Sequence, residues 1–195
     1  MQWDQIEQLT AKEHQLEMSW WASHTLFSTN WWIITAVNVL CFLLFIVFID
    51  RNRKNQIIIG FMIAFTIVGI VDETGKYFGF WTYPYEFIQF LERFNAVNFF
   101  VIPCLFTLIY QWFTKWLNYL VATLGLALVN SYIGEPLFVA LGIYRMNTWT
   151  YTRSFLTMLV MGIIIKSLTD LLVVNSGIEK LDRELHFPLR RKTKI

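Results

Sequence analysis

The chain has few charged residues, only two cysteines, and only three widely separated histidines. Charged residues make up 15% of the 195 positions and hydrophobic residues 56%, a balance that excludes an ordinary soluble domain. No histidine or cysteine has the spacing of a zinc site, so we predict no metal. Cys41 and Cys104 lie in apolar runs, which favours packing roles. Phosphate-loop, dinucleotide and nucleophile-elbow motifs are missing, and no cofactor is expected.

Long apolar runs occupy most of the sequence. A helix needs about 20 mostly apolar residues to cross a bilayer, and continuous runs of this length are typical of helices. The runs predicted to span are 31–49, 57–76, 97–112, 116–133 and 155–174. We therefore predict an all-α fold, a polytopic membrane helix bundle with about five transmembrane helices in residues 28–176.

The two ends of the chain differ from this middle part. Trp3, Ile6 and Leu9 recur every three residues, which predicts an amphipathic helix lying on the membrane surface within residues 1–27. Thr10 and Glu13 have the spacing of a capping box ahead of a helix. The start of the chain is acidic and mixed, unlike a cleavable signal peptide. Residues 177–195 are predicted to be a basic cytoplasmic tail.

Loop charges predict the orientation of the helices. Basic residues concentrate on the cytoplasmic side of membrane proteins. The first loop between runs has Arg51, Arg53 and Lys54, the third has Lys115, and the tail ends with Arg190, Arg191, Lys192 and Lys194, while the other two loops carry fewer net positive charges. Five alternating helices that obey this rule have the N-terminus outside and the C-terminus inside, as expected for a bacterial cytoplasmic membrane protein.

An acidic residue occurs at the same place in two different runs. Asp72 and Glu135 are each followed by a glycine and then an aromatic residue at the same spacings, and both segments continue to Trp-Thr-Tyr, at 81–83 and 149–151. Carboxylates near lipid are costly and are often functional. The predicted orientation puts both segments on the outer face, near the membrane boundary. The candidate ligand-binding residues are Asp72, Glu73, Glu135, Trp81, Tyr83, Asn98, Trp149 and Tyr151.

Prolines and a second charged pair complete the pattern. Pro103 predicts a kink in the third helix, with Asn98 one turn before it. Pro136 predicts a break or kink followed by a short half-helix at the outer interface. Lys166 and Asp170 lie four residues apart in the last run and are expected to form a structural ion pair. For the acids, a salt-bridge cluster that includes Lys76 is the alternative to a binding site.

Three segments resemble a family of small uncharacterised multi-pass membrane proteins of Gram-positive bacteria. They read GFWTYPYEF, NFFVIPCLFTLIYQWFTKW and EPLFVALGIYRMNTWTYTRSF. The resemblance implies a multi-helix membrane protein and brings no activity. Where such proteins often have Asp-Phe before the proline of the third helix, this chain has Asn98-Phe99. The repeated acid-bearing helices are also loosely similar to small carotenoid cyclases, without a residue-by-residue match.

Three classes of function fit these residues. Carboxylates with aromatic rings suit an outer pocket that binds or senses a cationic or amphiphilic small molecule, in a protein whose partners are the lipid bilayer and either another copy or another membrane protein. A small oligomeric transporter and a lipid- or isoprenoid-active enzyme with paired carboxylates are the alternatives. Nucleic-acid binding is not expected, because the basic tail suits anionic lipid better.

Overall fold

The computed structural model describes residues 2–89 and 100–176, and within them the fold is all-α. The helices are α1 (Gln2–Trp20), α2 (Thr29–Phe48), α3 (Lys54–Tyr77), α4 (Val101–Trp112), α5 (Trp116–Val129), α6 (Glu135–Ala140) and α7 (Tyr151–Ser176). Two-residue strands, β1 (Trp81–Thr82) and β2 (Arg145–Met146), pair antiparallel. The expectations for Asn98 and for the tail 177–195 fall outside the described residues.

Four helical segments are long and apolar enough to cross a membrane. They are Thr29–Phe48, Arg51–Tyr77, Trp116–Ala140 and Tyr151–Asn175. The described part of the predicted third helix, α4, has only 12 residues. The bundle of apolar helices is therefore as expected, while the count of five spans is not reached by length among the described residues.

The core lies where α3, α4, α5 and α7 pack together. Ala64 and Val68 of α3, Phe106 of α4 and Ile165 of α7 are buried in one apolar cluster. The helices α5 and α7 approach closely at Gly162, where an added Cβ would lie 2.5 Å from Thr123 Cγ2. By contrast, α2 presents most of its apolar side chains outward, as a lipid-facing helix does.

The loops define two ends of the bundle. At the basic end, the loops after α2 and α4 meet. The side chain of Gln111 donates to the carbonyl of Phe48 and accepts from the N–H of Asp50, at 2.7 and 2.8 Å. At the strand end, β1 follows α3 and β2 follows α6. Asn30 at the start of α2 also reaches this end and donates to the carbonyl of Leu141. Both acid-bearing segments lie at the strand end, as helix alternation predicts.

Of the two outcomes predicted at Pro136, a break or a kink, the break is wrong. The helix continues from α5 into α6 through one π-helical turn, Asn130–Gly134, in which the N–H of Glu135 donates to the carbonyl of Asn130. Proline has no N–H and its ring crowds the preceding turn. The wider π turn accommodates Pro136 without interrupting the span, and π turns of this kind often occur at functional sites.

The expected kink at Pro103 is also not found in the described helix. The helix α4 begins at Val101, so Pro103 lies in its first turn. N–H groups in the first turn have no intrahelical partner, and proline is tolerated there.

The N-terminal segment is helical from Gln2, so the capping-box residues Thr10 and Glu13 lie inside α1 rather than at its start. None of the residues of α1 is buried. Trp3 and Leu9 are each 68% exposed, which leaves the apolar stripe of α1 available to a membrane surface.

Candidate functional site

A small cavity at the strand end brings the two repeated acids together. Asp72 from α3 and Glu135 from α6 both line it. Its volume is about 60 Å³, enough for a few water molecules or a group of three or four heavy atoms. The remaining lining residues are Val68, Val71, Trp81, Ile102, Asn130, Tyr144, Trp149, Ser154, Thr157, Met158 and Met161. We call this the inner cavity.

Asp72 is buried and held by a neighbouring tyrosine. Only 7% of Asp72 is exposed, and the hydroxyl of Tyr83 donates to its Oδ1 at 2.6 Å. Burial, and then the negative charge of Asp72, raises the pKa of Tyr83 well above its usual value. Tyr83 therefore remains a protonated donor at any ordinary pH and fixes one oxygen of Asp72.

Glu135 has one bound oxygen and one without a partner. The amide of Asn130 donates to Oε1 at 3.2 Å, a contact made across the π turn. Ser154 lies close to the carboxyl group without completing a hydrogen bond to Oε2. Oε2 is enclosed and has no hydrogen-bond partner. A buried polar atom without a partner costs about 1–3 kcal/mol, and more when it is charged, so a ligand that donates to this oxygen would stabilise the site.

Two indole rings form the aromatic side of the inner cavity. Trp81 and Trp149 meet edge to face with ring centroids 5.0 Å apart. The Nε1 of Trp149 donates to Ser154 Oγ at 3.0 Å. The Nε1 of Trp81 is buried without a partner. The cavity residues thus leave one acceptor, on Glu135, and one donor, on Trp81, unsatisfied.

The pairing of β1 with β2 explains why the acids meet. Asp72, Gly79, Trp81 and Thr82 correspond to Glu135, Gly142, Tyr144 and Arg145 at one constant offset. Thr82 pairs with its own equivalent, Arg145. The two segments are therefore related by a local two-fold axis at this pair. The pairing therefore brings the two equivalent acids, Asp72 and Glu135, to the lining of one cavity.

The two glycines of the repeat make the same turn. Gly79 and Gly142 have φ of +65° and +72°, a conformation that side chains with a Cβ rarely adopt. Each ends a helix and reverses the chain into its strand. The matching turns give the repeat a physical basis.

Tyr144 is a cavity residue that the sequence reasoning left out of the site. It is 8% exposed, and its ring stacks on Tyr83 at 5.4 Å. Burial, followed by the charges of Glu135 and Asp72, raises its pKa well above the ordinary value. The repeat itself would have found it, because Tyr144 is the equivalent of Trp81.

The structure does not bring every predicted residue to the cavity. Glu73 follows Asp72 and so points about 100° away around the helix. Its Oε1 lies 3.6 Å from Lys76 Nζ, and neither residue of this ion pair lines the cavity. Tyr151 begins α7 and is not among the cavity-lining residues. Trp149-Thr150-Tyr151 therefore has a different role from Trp81-Thr82-Tyr83, since only the latter includes a strand.

Lys166 and Asp170 form their ion pair at the basic end, away from the inner cavity. The Nζ of Lys166 lies 3.2 Å from Asp170 Oδ2 and donates to the carbonyl of Thr114 at 3.1 Å. Three aromatic rings surround the ammonium group, with centroids 4.9 to 5.2 Å from Nζ. They belong to Tyr110, Trp116 and Tyr119. The pair closes a gap between α4, α5 and α7.

Comparisons with protein-family models, with curated proteins and with solved structures gave no match to this chain. Function is therefore inferred from the geometry of the described residues.

Proposed function

We propose that the protein is a multi-pass protein of a bacterial cytoplasmic membrane whose inner cavity binds a small organic cation. The observation that carries the proposal is the shared cavity: Asp72 and Glu135 converge on it from different helices. Two carboxylates facing one small space repel each other, and a cation between them offsets that repulsion. The strand end faces outward in this proposal, and the basic end faces the cytoplasm.

The unsatisfied groups refine the chemistry of the ligand. Glu135 Oε2 needs a donor and Trp81 Nε1 needs an acceptor. A protonated amine supplies both the hydrogen-bond donor and a positive charge, which the carboxylates of Asp72 and Glu135 favour. An oxygen two carbons away would supply the acceptor. Ethanolamine combines both within four heavy atoms, which matches a volume of about 60 Å³.

The size and the lining of the inner cavity favour binding of a small cation over the two alternatives, a lipid-active enzyme and a transporter. A lipid or isoprenoid is too large for the space, so an amphiphile could place only its head group there. The lining of the cavity contains neither Lys166 nor any residue of the basic end. A continuous transport route is thus not supported by the described residues, and binding or sensing is favoured.

Replacing Glu135 by glutamine is expected to weaken ethanolamine binding about tenfold or more. A hydrogen bond to a charged group contributes about 1.5–3 kcal/mol, and 1.4 kcal/mol is tenfold in affinity. Equilibrium dialysis of radiolabelled ethanolamine against the full chain in dodecyl maltoside would measure it. Glu73→Gln is the matched control, because Glu73 is the neighbour of Asp72 but pairs with Lys76 outside the cavity.

The same assay with n-propylamine tests the role of Trp81. Propylamine has the size and charge of ethanolamine without the hydroxyl oxygen, so we expect it to bind about fivefold more weakly, since a buried donor then stays unpaired. Ethanolamine binding that is equal in wild type, Glu135→Gln and Glu73→Gln would refute the proposed function.

A further inference from the structure

A second, larger cavity lies on the outside of the strand end, between the N-terminal helix and the loop that follows β1. Its volume is about 490 Å³, within the usual range for small-molecule sites. We call it the outer groove. Residues from both walls include Leu16, Glu17, Trp20, His24, Tyr83 and Glu86.

Tryptophan hydrogen bonds hold the groove together. The Nε1 of Trp20 donates to the carbonyl of Pro84 at 3.2 Å, and the Nε1 of Trp21 donates to the carbonyl of Glu86 at 3.1 Å. The ring of His24 stacks on Trp20 with centroids 4.2 Å apart. These contacts fix the C-terminal end of α1 and the turn after it against the loop, so the groove is part of the folded structure.

Glu86 is the unusual residue of the groove. Only 9% of it is exposed, and its carboxyl group has no hydrogen-bond or ion-pair partner among the described residues. Buried carboxylates are normally paired. Glu17 adds a second carboxylate from α1, while Leu16 and the half-exposed indole of Trp20 supply an apolar wall.

We infer that the outer groove is a second binding site, which takes an amine cation carrying an apolar group. A protonated or quaternary nitrogen would pair with Glu86 and Glu17 and contact the indole of Trp20, and the apolar group would lie along Leu16. The described residues contain no group of three or more metal-ligating side chains, which favours an organic cation here. This inference goes beyond the inner cavity and does not depend on it, although Tyr83 lines the groove and bonds to Asp72 of the cavity.

Benzyltriethylammonium is a suitable probe, because it fits the outer groove and is too large for the inner cavity. Equilibrium dialysis at pH 9 with the full chain in dodecyl maltoside should show binding that Glu86→Gln weakens about tenfold, because the quaternary nitrogen has no N–H and pairs with ionised Glu86 through charge. Glu17→Gln should weaken it less, since Glu17 is exposed. Glu13→Gln is the matched control: it removes one charge from the same helix, and Glu13 does not line the groove.

Comparison of variants separates the two sites. Glu135→Gln should change benzyltriethylammonium binding less than twofold, and Glu86→Gln should leave ethanolamine binding within twofold. If Glu86→Gln and Glu17→Gln bind the probe as Glu13→Gln does, the outer site is refuted, whatever happens at the inner cavity. Loss of the Glu135 effect on ethanolamine alone refutes only the proposed function.

The pH dependence gives an independent check. The pKa of Glu86 is raised to about 8, chiefly by burial; the charge of Lys76 opposes the rise, and those of Glu17, Asp72 and Glu73 add to it. Because ionised Glu86 is the binding form, wild-type affinity should rise at least tenfold from pH 6 to pH 9. The rise should be much smaller in Glu86→Gln, because glutamine cannot ionise, while Glu17 and His24 line the groove in both proteins. Equal pH profiles would overturn the role of Glu86.

The cation could belong to a free amine or to a choline lipid head group. Soluble dihexanoylphosphatidylcholine, added to the dialysis, should displace the probe if the head group is the source, and dihexanoylphosphatidylglycerol should not. Failure of both lipids to displace the bound probe assigns the groove to a free amine.

Discussion

Alanine at position 75 is expected to destabilise the protein and to abolish binding in the inner cavity. Gly75 is a buried residue of α3, and a methyl group there would overlap three carbons of the Trp81 indole ring. The indole is 6% exposed, packs edge to face on Trp149, and belongs to a residue paired with Met146. These contacts hold the indole in place, so the added methyl group would displace either the ring or the helix from its packed position.

Whether Gly75→Ala raises or lowers the stability shows which of two effects is larger, helix propensity or overpacking. Alanine is favoured over glycine within a helix by about 1 kcal/mol, whereas overpacking a tight contact costs about 1–3 kcal/mol and sometimes more. We expect a net loss of about 2 kcal/mol or more in the free energy of unfolding. Denaturant titration in mixed micelles measures the stability, and ethanolamine dialysis measures the cavity.

Gly69 offers a matched control in the same helix. A Cβ at Gly69 would meet no atom within 4 Å. Gly69→Ala should therefore keep or raise stability, by up to about 1 kcal/mol, and should bind ethanolamine normally. If both variants gain stability alike, Trp81 does not pack on α3, and the assignment of Trp81 to the lining of the inner cavity is refuted.

The helices were the part of the fold most open to prediction. The runs 31–49, 57–76 and 155–174 correspond to α2, α3 and α7 with ends within a few residues. This agreement follows from physics, since the length of an apolar run is set by the thickness of the bilayer. The break at Pro136 was wrong, because a proline in a helical pattern either ends the helix or is accommodated by a kink or a π turn. The local sequence does not choose between these outcomes.

The candidate site was only partly open to prediction. The repeat singled out Asp72 and Glu135, which both line the inner cavity, because equal spacing to a glycine marks equivalent positions. It could not choose between Asp72 and Glu73, whose side chains point about 100° apart, until the packing of α3 was known. Because Trp81 was matched to Trp149 of the second Trp-Thr-Tyr segment, its true equivalent, Tyr144, was not recognised as a site residue. The pairing register of β1 and β2, which relates Trp81 to Tyr144, depends on contacts distant in sequence.

The outer groove could not be predicted from the sequence, because it too depends on contacts between distant segments. Glu86 reads as an ordinary loop acid, and Glu17 as one charge on an amphipathic helix. Only the docking of α1 onto the loop, through the Trp20 and Trp21 hydrogen bonds, buries Glu86 and makes its carboxyl group unusual.

Removal of the Lys166 side chain is the second large effect that we expect. Lys166→Ala should lower the free energy of unfolding by about 3 kcal/mol or more. The variant loses cation–π contacts with three rings, of the order of 2 kcal/mol when desolvated, and leaves a cavity among them. Its partner Asp170 is 36% exposed at the side chain and keeps the hydroxyl of Tyr110, which donates to it at 3.0 Å. The unpaired acid therefore adds less than the 3–5 kcal/mol typical of a fully buried pair.

A second variant, Lys166→Met, divides this loss of stability into a packing share and a charge share, and Ser167→Ala serves as its control. Lys166→Met fills most of the space without the charge, so it should retain the packing share and lose the cation–π and ion-pair share. Ser167→Ala is the control on the exposed face of α7, where the hydroxyl bonds only to the carbonyl of Ile163, and it should stay within about 0.5 kcal/mol of wild type. All three should bind ethanolamine normally in whatever fraction remains folded, because Lys166 lies at the basic end. If Lys166→Met is as stable as wild type, the ammonium group contributes nothing net, and the aromatic rings hold the lysine for its volume alone.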